Sequence, residues 1–385
     1  MPKRYAGGII TATFKPLDPH GDNNSLYVWG NGYIGEMGLN DRHVGRSSPV
    51  LVDSGVTWSK VFGTANANWR LAIKQNGTMW AWGQNDDGQL GQNDTSKRSS
   101  PTQIGSLTTW VTGTAGGSSG GSTAAIKTDG TLWTWGKNQY GELGINSVAS
   151  RSSPVQVGSD YWSLVSRGGY VSAAIRADGT MWAWGRNQVG QLGQNNTVLR
   201  SSPVQVGSDT NWSKVSVAAN SILAIKTDNS LWVWGYQDQG ILGINSVTAV
   251  SSPVQVGATT DWSLISATRY HAGAIKTNGT FWTWGQSTNH GQLGLGDRVN
   301  RSSPVQLGSD TNWSQVSAGT NTTAATKTIG TLYVWGDGRH GEMGNSSEIS
   351  RSSPIQVGSL TSWSDVSVGS DDTAQAIFAI SSIPF

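Results

Sequence analysis

No cysteine occurs in the 385 residues, which excludes disulfides and thiolate chemistry without fixing a compartment. Charge is sparse as well: 13% of residues are Asp, Glu, Lys or Arg, and 26 basic against 24 acidic side chains leave +2. So even a balance carries no basic footprint for nucleic acid. No apolar run approaches the roughly 18 residues that cross a bilayer, so membrane insertion is not expected. Lys3 and Arg4 are followed by no apolar h-region, so no secretory signal is expected. The five histidines form no H-E-x-x-H motif, and no G-x-x-x-x-G-K-[ST] loop is present. The expectation is a non-enzyme with no cofactor and no metal.

What the chain does have is glycine and tryptophan, 51 and 20 of them. The stretch Thr131–Gly136, TLWTWG, recurs from end to end. Its anchoring residues are Trp29, Trp82, Trp135, Trp184, Trp234, Trp284 and Trp335, spaced by 53, 53, 49, 50, 50 and 51 residues. A fixed period of that length means stacked supersecondary units.

Residues 262–307 show what one unit contains. Trp262–Ser266 alternates as a strand, Ala272–Lys276 is a small-residue strand, and Asn278-Gly279 favours a hairpin turn with positive φ. Phe281–Trp284 makes a third strand. A glycine-rich connection through Gly291–Gly294 leads to a fourth, Val305–Leu307, with Pro304 at its start, where a missing N–H is tolerated. Four antiparallel strands, lettered A to D below, are the make-up of a propeller blade. The first copy begins at its C strand, and the chain finishes with an A and a B strand, Trp363–Val368 and Thr373–Ile380. Joining them completes one blade and removes the open edges. The expected fold is all-β: a seven-bladed propeller over residues 25–385, closed by strands from both termini, with residues 1–24 as an extended arm.

The ordered W-G, G-x-L-G, R-S-S-P and A-I-K-T-D-G boxes over residues 25–380 strongly resemble the regulator of chromosome condensation family. That resemblance implies a seven-bladed propeller and leaves function open, since members include an exchange factor, a plant photoreceptor and a secreted β-lactamase inhibitor. The family's histidine before strand B is matched at His271 alone; Trp69, Ser122, Val171, Ser221, Thr322 and Thr373 occupy the other copies. The opening, PKRYAGGIITAT, resembles the start of many structural proteins of marine tailed bacteriophages. It implies a virion protein docked through Arg4, Tyr5, Gly7, Gly8, Ile9 and Ile10.

Because strands alternate in direction, A–B turns and C–D loops share one face, and B–C hairpins share the other. The hairpins repeat almost unchanged and the A–B turns do not, so a specific contact is expected on the A–B face. Trp69, Arg70, Arg167, Tyr170, Arg269, Tyr270 and His271 are the candidates, of residue types mostly favoured at hot spots. The basic row Lys74, Lys127, Arg176, Lys226, Lys276 and Lys327 reads as solvated strand ends paired with Asp or Asn. The arginines before Ser-Ser-Pro read as loop pins stacked on tryptophan. The leading expectation is a non-enzymatic virion protein, capsid- or tail-associated, binding virion proteins through its arm and a host receptor or glycan through its face. The alternatives are a cytoplasmic adaptor or inhibitor propeller that binds a protein partner, and a carbohydrate-binding or lyase propeller.

Overall fold

Twenty-seven strands and no helix occur among the described residues. The structure, a computed structural model, describes residues 24–41, 45–63, 68–117, 121–246, 248–288, 290–370 and 375–383. The strands form five antiparallel sheets of four and one of seven. In the Trp82 sheet the order is Trp58–Phe62, Trp69–Lys74, Met79–Gly83 and Arg98–Gln103, the A-B-C-D order that the repeat predicts. The Trp29 sheet mixes the two ends of the described chain: Trp363–Ser370 and Gln375–Ser381 supply A and B, while Ser25–Gly30 and Arg46–Leu51 supply C and D. In the seven-stranded sheet one 17-residue strand, Arg151–Arg167, pairs with Thr131–Gly136 and then, past Tyr161, with Val171–Arg176.

Two sequence boxes explain how the sheets stack. Each anchoring C-strand tryptophan is fully buried, and in every copy but that of Trp234 its indole N–H bonds to the glycine box of the preceding copy. Trp135 Nε1 donates to Gln89 O at 2.9 Å, Trp184 to Glu142 O at 2.9 Å, and Trp29 to Glu342 O at 2.8 Å. The second glycine of the box must lie flat on that ring. Gly144 has φ +71°, and a Cβ there would sit 2.6 Å from Trp184 Nε1. The first glycine meets the Ser-Ser-Pro step of the following copy, as Gly141 does with Ser201. On the inner strands, A-strand serines bridge neighbours: Ser166 Oγ accepts from Val217 N at 3.0 Å and Ser216 Oγ from Ala267 N at 2.9 Å.

At the hairpin end the turns behave as their residues dictate. Gly279 takes φ +78°. Asn278 Oδ1 accepts from Thr280 Oγ1, which in turn accepts from Trp282 Nε1 at 2.9 Å, and four other copies repeat this relay. The basic row differs from expectation. Each cation lies over two aromatic rings: Lys226 Nζ is 3.9 Å from the Trp232 ring and 4.8 Å from Trp212, and Lys74 Nζ is 3.4 Å from Trp80. The pairing with Asp holds for Arg176, Lys226, Lys276 and Lys327, which meet Asp160, Asp209, Asp261 and Asp310. These are caged cations rather than solvated ends, because strand pairing sets the B-strand side chain between the A-strand and C-strand rings. In the Trp29 sheet Ser381 occupies the cation's register position and Tyr27 packs edge-on to Trp363.

Two smaller expectations are also corrected. Pro304 lies inside the strand Arg301–Gln306, which is acceptable because D is an edge strand. The arginines before Ser-Ser-Pro hold loop groups, with Arg98 Nη2 on Asp94 at 2.6 Å and Arg301 Nη2 on Asp297 at 2.6 Å. None shows a tryptophan stack among the described residues.

Candidate partner-binding face

At the other end of the sheets the copies stop agreeing. Four of the seven candidate contact residues are buried there, which corrects their expected exposure: Trp69, Arg70, Arg167 and His271 are 0–1% exposed. Each polar tip reaches into a neighbouring copy, and the Nε and Nη1 of Arg167 stay buried without a hydrogen bond among the described residues. His271 Nε2 lies 2.7 Å from Thr323 Oγ1, and that hydroxyl donates to Gln292 O at 2.9 Å. The threonine proton is therefore used, so the imidazole is the donor, held neutral by burial that pushes its pKa down to about 3. Trp69 does the same work four copies away: its Nε1 donates to Thr123 Oγ1 at 3.2 Å, and Thr123 donates to Gln89 O at 2.8 Å. Tryptophan thus serves in the Trp82 copy as the inter-sheet donor that His271 is in the Trp284 copy.

Arg70 and Trp69 fill room that glycines leave. Arg70 donates to Trp69 O at 2.8 Å and Gly369 O at 3.1 Å, with its guanidinium 5.0 Å from the Phe378 ring. A Cβ on Gly369 would fall 2.2 Å from Arg70 Cζ, and one on Gly121 would fall 2.0 Å from the Trp69 ring. Arg167 donates to Ser122 Oγ and faces the charge of buried Glu142. Burial lowers the Arg167 pKa to about 10 and raises that of Glu142. Sequence reasoning missed these burials. The available signal was glycine at the facing positions of a neighbouring copy.

Register corrects the last A–B turn. Ala379 pairs with Tyr27 as Ala72 pairs with Trp80, so the separation from Trp363 to this alanine is 16 residues, against 12 to 15 in the other copies. Ala376, paired with Gly30, takes the place assigned to Thr373, which lies outside the described residues. The anchor residues Arg4, Tyr5, Gly7, Gly8, Ile9 and Ile10 also lie outside them.

Tyr170, Arg269 and Tyr270 do reach solvent. Tyr170 packs edge-on to Tyr140, ring centroids 5.0 Å apart, and Arg186 lies 5.4 and 5.7 Å from those two rings. Arg269 lies 5.1 Å from the Tyr270 ring. Tyr140 and Arg186 come from C–D loops, and the sequence alone did not single them out. A third group sits on the Trp284 and Trp335 copies, where His290, Asp337, Arg339, His340 and Glu342 meet. Burial pushes Asp337 up, but hydrogen bonds from Arg339 reverse this and leave it below the ordinary range. Burial raises Glu342 to about 7. No group of three or more His, Cys, Asp or Glu able to hold a metal occurs among the described residues. No helix among them is long and apolar enough to cross a membrane.

Repeated four-stranded sheets held by a Trp-to-glycine-box ladder define a β-propeller of the regulator of chromosome condensation type. Residues 118–377 match the RCC1-like domain, and residues 76–121 match the regulator of chromosome condensation (RCC1) repeat. The chain belongs to the RCC1-like domain family. It is 31% identical to the ultraviolet-B receptor UVR8 of Arabidopsis thaliana over 139 residues, which are 35% of this chain and 30% of the receptor. It is 32% identical to the X-linked retinitis pigmentosa GTPase regulator of Canis lupus familiaris over 137 residues, 35% of this chain and 13% of that protein. The match thus spans less than a third of either relative. Among solved structures, human WBSCR16 superposes with a TM-score of 0.79 at 19% identity, covering 93% of this chain and 98% of that one. Prp20p of Saccharomyces cerevisiae, described with its binding to Gsp1p and histones, gives 0.79 at 19% over 93% and 91%. At such identities the likeness is one of fold.

Proposed function

We propose that this chain is a non-enzymatic protein-interaction propeller that binds a protein partner through its A–B and C–D face. The observation that carries this is the contrast between the two faces: half-buried Tyr140, Tyr170, Arg186 and Tyr270 and exposed Arg269 differ from copy to copy, whereas the hairpin end repeats. Tyrosine and arginine dominate interface energetics, and loops on a rigid scaffold are where contacts are built. The names of a receptor and a GTPase regulator among the relatives, and Prp20p's binding to two proteins, support the same use here.

The scaffold in this reading has seven blades. Dividing the strand Arg151–Arg167 near Tyr161 turns the seven-stranded sheet into two blades and leaves seven sets of four. Closure through both ends is supported by the mixed Trp29 sheet and by Val61 N donating to Asp365 Oδ2 at 3.0 Å. A second reading is display on a virion through an arm of residues 1–24. It rests on the resemblance of the opening dozen residues, and unchanged particle incorporation after deletion of residues 1–20 would remove it.

The test of the main reading uses paired variants. Tyr170→Ala with Arg186→Ala, and Arg269→Ala with Tyr270→Ala, are expected to abolish recovery of a stoichiometric partner in a pull-down. Asp129→Ala and Asn278→Ala on the hairpin face are expected to leave it intact. The reverse pattern would overturn the reading.

A further inference from the structure

One arginine on the face is held in place by a carboxylate that solvent cannot reach. Asp337 is fully buried, and both of its oxygens are engaged by Arg339: Nε to Oδ1 at 2.9 Å and Nη2 to Oδ2 at 2.7 Å. Arg339 N also donates to Oδ1 at 3.1 Å, Ser350 Oγ lies 3.4 Å from the same oxygen, and His290 Nδ1 lies 3.5 Å from it. The arginine side chain nevertheless remains 56% exposed, and no hydrogen bond from its Nη1 occurs among the described residues. The position after the W-G box is Asn31, Gln84, Lys137, Arg186, Tyr236 and Gln286 in the other copies, so only this copy places an acid there. A buried carboxylate is costly unless it is paired, and here the pairing fixes one guanidinium and presents its free edge. A side chain already immobilised loses little entropy when it binds. Around it the Trp284 and Trp335 copies contribute His290, the exposed Arg298, whose charge acts on His290, and His340, which pairs with buried Glu342 at 3.3 Å.

We propose that Arg339, clamped by Asp337 and flanked by His290, Arg298 and His340, is a docking point for a carboxylate in an acidic segment of a protein partner. This rests on the interaction reading above and names the chemistry of one sector of that face. Planar guanidinium edges recognise carboxylates in a defined geometry that lysine cannot copy.

The decisive variant adds positive charge. Asp337→Asn removes the clamp and makes the sector more basic, so general electrostatic attraction would tighten binding while a built site would lose it. The probe is a fluorescein-labelled hexaglutamate peptide, with hexalysine as the control, followed by anisotropy on the full chain at low salt. Thermal melting checks that each variant is folded. The expected result is measurable binding of hexaglutamate only, about tenfold weaker for Arg339→Ala and several-fold weaker for Asp337→Asn. Arg339→Lys keeps the charge and should still weaken binding, which preserves the test if Asp337→Asn does not fold. No binding by the unaltered chain, or equal or tighter binding by the clamp variant or by Arg339→Lys, would overturn the proposal. Loss of partner in the Tyr170 and Tyr270 pull-down would still stand in that case, so the two readings fail separately.

Discussion

The two ends of the sheets are built from the same repeat and behave differently. At the hairpin end, six copies insert a Lys or Arg between an A-strand tryptophan and a C-strand tryptophan or tyrosine, and four of these cations also meet an aspartate. At the A–B and C–D end the copies differ instead: Trp69 and His271 share one position, while Arg70, Arg167 and Arg339 each occupy a different one. Repetition marks what every blade needs to stack. Divergence marks two things that have to be separated, private solutions to burial and residues that meet solvent. His271 and Trp69 belong to the first kind, Tyr170 and Arg339 to the second.

Substitutions can break or sharpen that contrast. The largest effect is expected in the shared ladder: Trp135→Ala empties a fully buried site and abandons the bond to Gln89 O, for about 3–5 kcal/mol lost in denaturant unfolding. Next come two glutamates at one repeat position, which should respond to different extents. Burial raises the pKa of Glu142 but the charge of Arg167 opposes the shift, so Glu142→Gln should move stability at pH 8 by less than Glu342→Gln does. Glu342→Gln should stabilise by roughly 1–3 kcal/mol at pH 8. Burial raises the Glu342 carboxyl from 4.5 to about 7, so in that window the folded state holds the proton and the unfolded state does not. Its contribution is therefore full below pH 4.5 and is lost as pH rises to about 7. Gln89 and Gln191 already fill the equivalent site and accept the same loop N–H bonds, at 2.9 Å each. Denaturant unfolding at pH 4 and pH 8 reads both variants, and an equal or larger gain for Glu142→Gln would undo the contrast.

Smaller changes follow at the cages. Lys226→Met removes a cation from two rings and an aspartate that is itself exposed, for about 1 kcal/mol in thermal melts. On the divergent face, Tyr270→Ala or Arg269→Ala should move stability by less than about 0.5 kcal/mol while removing partner binding. A large stability loss there would assign those side chains to the scaffold.

Much of the fold is legible in the sequence because it is periodic. The W-G, G-x-x-G and Asn-Gly boxes report contacts that recur in nearly every copy, so strand order and the mixing of both ends follow from counting. The site is less legible because burial there depends on single exceptions. Arg70 and Trp69 look like exposed hot-spot residues until Gly369 and Gly121, far away in sequence, are seen to make room for them. Asp337 looks like one more loop acid until its two bonds to Arg339 are seen. Thr373 reads as the residue before the last B strand because the alanines that follow are ambiguous by spacing, and strand register moves that position to Ala376. Pairwise exceptions leave no period to read.

The most direct measurement places a photo-crosslinking residue at Tyr170 or Tyr270 on one face, and at Asp129 or Asn278 on the other, and identifies what is captured by mass spectrometry. The account predicts the same partner crosslinked from Tyr170 and Tyr270 and none from the hairpin positions. A partner captured from Asp129 or Asn278 alone would contradict it.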